Sequence, residues 1–152
     1  GHKDRNDQTI NEIWLDNSPI PKNNIHFIKA ELGLLEARLE YENTLKKIDK
    51  FDVVLLSMGD DGHIASLFPG HLYSKDADVI VEYNSPKLPN KRISISYRKL
   101  NKTHNVFKII LGQPKRQAIS LIFQGYDLPI NRVYGEVEKI FIHSSAIPIG
   151  GK

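Results

Sequence analysis

The stretch FDVVLLSMGDDGHIASLFPG, Phe51 to Gly70, decides how the chain is read. It opens on an apolar run, Val53 to Leu56, and passes through Ser57-Met58 into Gly59, Asp60, Asp61, Gly62 and His63. A continuous apolar run that follows a helical segment predicts a central strand of a parallel sheet, covered on both faces. In such sheets ligands bind beyond the carboxyl ends of the strands, which is where Gly59 to Gly70 emerges. Gly59 and Gly62 allow close backbone approach to a ligand. A neutral imidazole is the usual general base near neutral pH, and Asp61, two residues before His63, is placed to orient it or to support its charge. The following IASLF predicts a helix start whose first amides would face an anion or oxyanion. On the residues alone, DDGH reads equally well as a polar turn, since Asp-Gly is common in turns.

Outward from this stretch, helical and strand patterns alternate. Ile10, Ile13 and Trp14 have helical spacing that Ser18-Pro19 ends. Ile25 to Ile28 (IHFI) predicts a short strand. From Gly33 onward, Leu34, Ala37, Tyr41, Leu45 and Ile48 place one apolar face on a helix. Downstream, Asp78 to Tyr83, Arg92 to Tyr97, Asn105 to Gly112 and Glu138 to Ser145 predict strands, and Pro114 to Phe123 a helix with proline in its first turn. The alternation implies an α/β fold with a largely parallel sheet, helices on both faces, Rossmann-like. Residues 1–152 are taken as one α/β domain, with no internal repeat or low-complexity linker to divide them. Two loops leave carboxyl ends with suitable chemistry: Gly59 to Gly70 and Gly112 to Arg116.

The bulk composition narrows the chemistry. The sequence holds no cysteine, which excludes disulfides, thiolate zinc sites and a cysteine nucleophile. A formal net charge of +3 comes from dispersed Lys and Arg. No nucleic-acid-binding signature accompanies it, so no nucleic-acid partner is expected; a small anionic ligand suits the charge. With no bilayer-length apolar run and no signal pattern, no membrane partner is expected and a cytoplasmic location is.

The string Gly59-x-Asp61-Gly62-His63-x-Ala65-Ser66-Leu67-Phe68-Pro69-Gly70 closely resembles the signature loop of the 6-phosphogluconolactonases, and FDVVLLSM precedes it as in that family. SPIPKNNIHFI, SPKLPNKRISIS and LNKTHNVFKIILGQPKRQAI resemble further segments of the family in the same order. The resemblance implies hydrolysis of 6-phosphoglucono-δ-lactone to 6-phosphogluconate, in the oxidative pentose phosphate pathway. It implies His63 as the base that activates water, Asp61 as its support, and substrate contacts from Gly59, Gly62 and Ser66. Arg92 stands where the family carries an arginine and Lys115 where it carries a lysine, so both are expected to bind the phosphate; Lys87, Arg98 and Arg116 are weaker candidates. No cofactor and no metal are implied, because a lactone carbonyl is already electrophilic. The family also occurs fused to glucose-6-phosphate dehydrogenase, and such a fused or coupled partner is carried as an expectation.

Two departures from the family pattern stand out. Its amino-terminal Gly-Gly-Ser loop and Asp-Glu-Arg segment have no counterpart here, Asp4-Arg5 being too short a match, so the chain is expected to be the carboxyl-terminal part of the enzyme. Ile64 replaces the usual threonine and resembles instead the loop of the glucosamine-6-phosphate deaminases. Ser66-Leu67-Phe68, in place of that family's Phe-Asn-Glu, favours the lactonase over a deaminase. A non-catalytic sugar-phosphate-binding domain of a fused protein is the third possibility.

Overall fold

The computed structural model describes residues 6–148; Asp4-Arg5 and the closing Gly150-Gly151-Lys152 lie outside the described residues. Three strands form a parallel sheet in the order β1 (Phe51–Leu56), β4 (Thr103–Ile110), β5 (Val137–Ile142), with Val54 opposite Val106 and Val106 opposite Glu138. A separate antiparallel ribbon pairs β2 (Val79–Glu82) with β3 (Arg92–Ile95). The helices are α1 (Asn6–Ile13), α2 (Leu34–Leu45), a single turn α3 (Tyr97–Leu100) and α4 (Arg116–Phe123). Among the described residues no helix is long and apolar enough to cross a membrane.

The period of the sequence explains most of these elements. Ala37 and Leu45 of α2 are buried, and the helix begins at Leu34 with Gly33 as its N-cap. Its carboxyl end is closed from outside: the amine of Lys99, 2% exposed, donates to the Leu45 carbonyl at 3.0 Å and to that of Ile48. Ser96 caps α3 through a hydrogen bond from the Lys99 N–H. Val106 and Ile110 of β4 share one buried cluster with Val54 of β1, Ala118 and Ile119 of α4, and Met58, Ile64 and Leu67 of the loop after β1. Met58, Ile64 and Leu67 make the loop after β1 part of the core.

Three expectations are corrected. Among the described residues β1 lies at an edge of its sheet rather than in the centre, and Val53 and Leu55 remain 50% and 59% exposed, so only its Val54 face is covered there. Among the described residues Ile25 to Ile28 is not assigned as a strand: it runs between two 3₁₀ turns, Lys22–Asn24 and Ala30–Leu32. IASLF starts no helix. Ile64 and Leu67 bond each other's backbone in both directions (3.3 and 2.8 Å), closing a tight turn with Ala65 at φ +47°. Burial of Ile64, Leu67 and Phe68, all at or below 2% exposure, favours that inward turn over a helix with a solvated face.

Candidate active site

The chain leaves β1 through Ser57 and buried Met58 and turns at once. The Gly59 N–H donates to the His63 carbonyl at 2.8 Å, and the Gly62 N–H to the Gly59 carbonyl at 3.2 Å. Inside this turn one carboxylate oxygen of Asp61 accepts twice, from the His63 backbone N–H at 3.0 Å and from its ring Nδ1 at 2.6 Å. Burial pushes the Asp61 carboxyl up, but the His63 backbone N–H and imidazole outweigh it and hold it below its ordinary value. An ionised Asp61 assigns the proton of the neutral ring to Nδ1 and leaves Nε2 as the basic nitrogen.

Both glycines have steric reasons. A Cβ on Gly59 would lie 2.1 Å from Cε1 and from Nδ1 of His63, so the imidazole occupies the space a side chain would take. Gly62 has φ +85°, and a Cβ there would meet Cδ1 of Leu128 at 2.6 Å; its carbonyl accepts from the Ile130 N–H at 3.2 Å. These contacts press the loop against the segment that precedes β5. The Phe68 ring completes the setting, its centroid 4.7 Å from that of the imidazole.

His63 opens onto a cleft of about 470 Å³. Ser57, Gly59, Asp60 and Ala65 after β1, Lys87, Pro114 and Lys115, and Asn6 of α1 line it. Lys115 belongs to the 3₁₀ turn Gln113–Lys115 after Gly112, at the exit of β4 and entrance of α4. Lys87 reaches in from the β2–β3 connection and pairs with Asp60, which this bond pulls below the ordinary carboxylate value. The donor atoms of Asp60, Asp61 and His63 lie within 4.8 Å of one another, but Lys87 and the imidazole already engage the two carboxylates.

The expected site residues are thus divided. His63, Gly59 and Lys115 come together on the cleft, with Asp61 directly behind His63. Arg92 does not line it. Its Nε donates to the Pro89 carbonyl and its Nη2 to those of Lys87 and Leu88, each at 3.0 Å, while Cζ sits 5.6 Å from the centre of the Phe68 ring. The guanidinium braces the loop that carries Lys87. Ser66 is buried, its N–H donating to Ser94 Oγ at 3.0 Å, and stays behind the turn. Arg98 pairs with Asp78, and Arg116 donates to the Ser145 carbonyl at 3.0 Å. Lys87, a weaker candidate from sequence, occupies the cleft, and Asn6 and Ser57, not among the expected site residues, join it. The signal for Lys87 was its place in SPKLP, since a loop clamped by Arg92 fixes where its amine emerges.

Fold and site define a class: an α/β protein with a carboxylate-oriented histidine in a cleft lined by two lysines and Asp60, at the carboxyl ends of parallel strands. The comparisons with known proteins narrow it. The family described as glucosamine-6-phosphate isomerases/6-phosphogluconolactonase matches residues 1–142, and the chain belongs to that family. It is 33% identical over 134 residues to 6-phosphogluconolactonase 3, chloroplastic, of Arabidopsis thaliana, covering 78% of this chain and 41% of that one. It is 32% identical over 139 residues to the 6-phosphogluconolactonase of Thermotoga maritima, covering 90% and 62%. The crystal structure of a 6-phosphogluconolactonase from Thermotoga maritima superposes with TM-score 0.81 at 31% identity, covering 89% of this chain and 63% of that one. A monomeric glucosamine-6-phosphate deaminase superposes with TM-score 0.70 at 17% identity, over 91% of this chain and 64% of that one, a likeness of fold alone. The chain therefore spans less than two thirds of the length of each of these relatives.

Proposed function

We propose that this chain carries the water-activating part of a 6-phosphogluconolactonase. The observation that carries this is the Asp61–His63 pair, 2.6 Å apart, on a cleft faced by Lys87 and Lys115, in a chain of this family. Nε2 of His63 takes a proton from water as its oxygen bonds to the lactone carbonyl carbon. The Asp61 carboxylate stabilises the imidazolium that forms. When the tetrahedral adduct collapses, the bond from that carbon to the ring oxygen breaks and the imidazolium returns its proton to that oxygen. The product acid then releases a proton to solvent.

Lys115 and Lys87 supply charge for the phosphate. Arg92 contributes by holding the Lys87 loop through its Nε and Nη2. Gly59 gives the imidazole its room; Gly62 and Ser66 shape the loop rather than reach the substrate. The pathway, a cytoplasmic location and coupling to glucose-6-phosphate dehydrogenase belong to the same proposal, which needs no metal or cofactor.

The test is lactone opening followed by proton release in a pH-stat. The chain is expected to accelerate it, and His63→Ala to lower kcat by about 10²–10⁴-fold while the fold persists. A His63→Ala variant as fast as the parent would overturn the assignment of the base. Ammonia release from glucosamine 6-phosphate without lactone opening would favour the deaminase instead.

A further inference from the structure

A second carboxylate–histidine pair stands behind the first, and the chemistry of His63 does not use it. Glu82, on β2, is 5% exposed. Its Oε2 accepts from Nδ1 of His71 and from the Tyr73 hydroxyl, both at 2.8 Å, and its Oε1 from the Asn84 N–H at 2.6 Å. A buried carboxylate is costly unless it is hydrogen-bonded, and here three donors engage its two oxygens. The Tyr73 oxygen in turn accepts the Phe68 backbone N–H at 2.8 Å. The rings stand in file: His63 to Phe68 4.7 Å, Phe68 to His71 5.8 Å, His71 to Tyr73 6.3 Å.

The turn between His63 and Phe68 has few holds of its own. Two backbone bonds close it, and Ala65 stands at φ +47°, where a residue with a Cβ is uncommon. Outside anchors hold it: Ser94 Oγ on the Ser66 N–H, and Tyr73 on the Phe68 N–H. Phe68 is 2% exposed, so its ring has no free space into which to swing. Asp61 fixes Nδ1 and Gly59 gives the ring its close wall, but the ring tilt depends on what packs against it, which is Phe68 at 36°.

We propose that Glu82 and Tyr73 are positioning residues for His63, acting through Phe68: the carboxylate fixes the phenol, the phenol fixes the Phe68 backbone, and the Phe68 ring keeps the imidazole with Nδ1 on Asp61. This rests on His63 being the base in lactone opening. Neither residue lines the cleft, so neither touches substrate.

The test is Tyr73→Phe, which removes the acceptor of the Phe68 N–H and one donor to Glu82 while keeping the ring. The expected result is a kcat about tenfold lower with KM within about twofold, since a small misplacement of the base costs rate before it costs binding. A second readout needs no activity. In a two-bond ¹⁵N–¹H spectrum of the chain, His63 is expected as the Nδ1–H tautomer, and as a mixture in the variant. A merely structural role would lower Tm and leave both kcat and tautomer as in the parent, and that result overturns the proposal. Should Tyr73→Phe fail to fold, Glu82→Gln gives the same readouts, and an unaltered tautomer in that folded variant is equally fatal. If the unsubstituted chain does not open the lactone, the lactonase assignment fails, while the spectrum still decides the positioning. If it does, and Tyr73→Phe matches it in rate and tautomer, the positioning alone fails.

Discussion

Gly59→Ala tests the site at its tightest point. The added Cβ would fall 2.1 Å from Cε1 and Nδ1 of His63 and 2.9 Å from Oδ1 of Asp61. To reach even 3.0 Å, the least that Cβ atoms tolerate, the ring must retreat by about 0.9 Å, a displacement of the order that costs about 10²-fold in rate. The 2.6 Å bond from Nδ1 to Asp61 lies at the point of collision and cannot survive such a shift unchanged. A hydrogen bond to a charged group contributes about 1.5–3 kcal/mol, or roughly 10–150-fold, so the two routes to the magnitude agree. The backbone at Gly59 is not in the left-handed region, so alanine fits its conformation and Tm should change by only a few degrees. Steady-state lactone hydrolysis in a pH-stat should therefore show kcat about 10²-fold lower, with KM within a few-fold because Lys87 and Lys115 stay in place. A Gly59→Ala enzyme with the parent's kcat would refute the reasoning. So would a slow one whose His63 keeps its Nδ1–H bond to Asp61 by NMR.

Lys115→Ala and Lys87→Ala should each raise KM for the lactone about tenfold with kcat little changed; unaltered KM in both would remove the cationic wall from substrate binding. Lys99→Met should lower urea stability by about 1–3 kcal/mol, because the Leu45 and Ile48 carbonyls lose their buried donor; an unchanged urea midpoint would show that water replaces the amine. Asp61 and Glu82 are both held below the ordinary carboxylate value, so their folded forms bind protons less readily than the unfolded chain does. Their stabilisation is whole above the unfolded value of about 4 and is lost as pH falls through the lowered folded values. The urea midpoint should thus show no loss from these two groups between neutral pH and about pH 5 and fall below about pH 4, less steeply in Asp61→Asn. A parent and variant with the same acid limb would contradict it.

What the sequence made legible was local periodicity. The spacing of Leu34, Ala37, Tyr41 and Leu45 is a property of a few helical turns, and α2 follows it. The apolar run in Asn105 to Gly112 likewise becomes β4. What failed depended on partners far along the chain. IHFI has the composition of a strand but is not one among the described residues, and a strand requires a neighbour that periodicity within the segment does not reveal. The run Val53 to Leu56 reads as a strand covered twice, yet whether a second layer lies over Val53 and Leu55 is settled by the rest of the fold. IASLF failed for a related reason: helix propensity says nothing of the apolar pocket that draws Ile64, Leu67 and Phe68 inward together.

The site divides along the same line. Asp61 and His63 are two residues apart, so their contact is a property of one turn, and Gly59 before them and Gly62 between them show that the turn is crowded. Lys115 was legible because the resemblance places a lysine there, and the structure puts it on the cleft just after the exit of β4. Arg92 shows the limit of carrying a role by position alone. Its charge and place in the segment match those of a phosphate binder, but two of its nitrogens are committed to three carbonyls of its own loop and its plane lies near Phe68. A guanidinium has donors enough to serve a backbone loop and an anion at once, whereas an ammonium in the same place would have to choose. Arg92→Lys therefore separates the two duties: it should release the Lys87 loop and raise KM about as far as Lys87→Ala does. If Arg92 only gripped phosphate as a point charge, Arg92→Lys would bind almost normally, and a KM near the parent's would discard the brace.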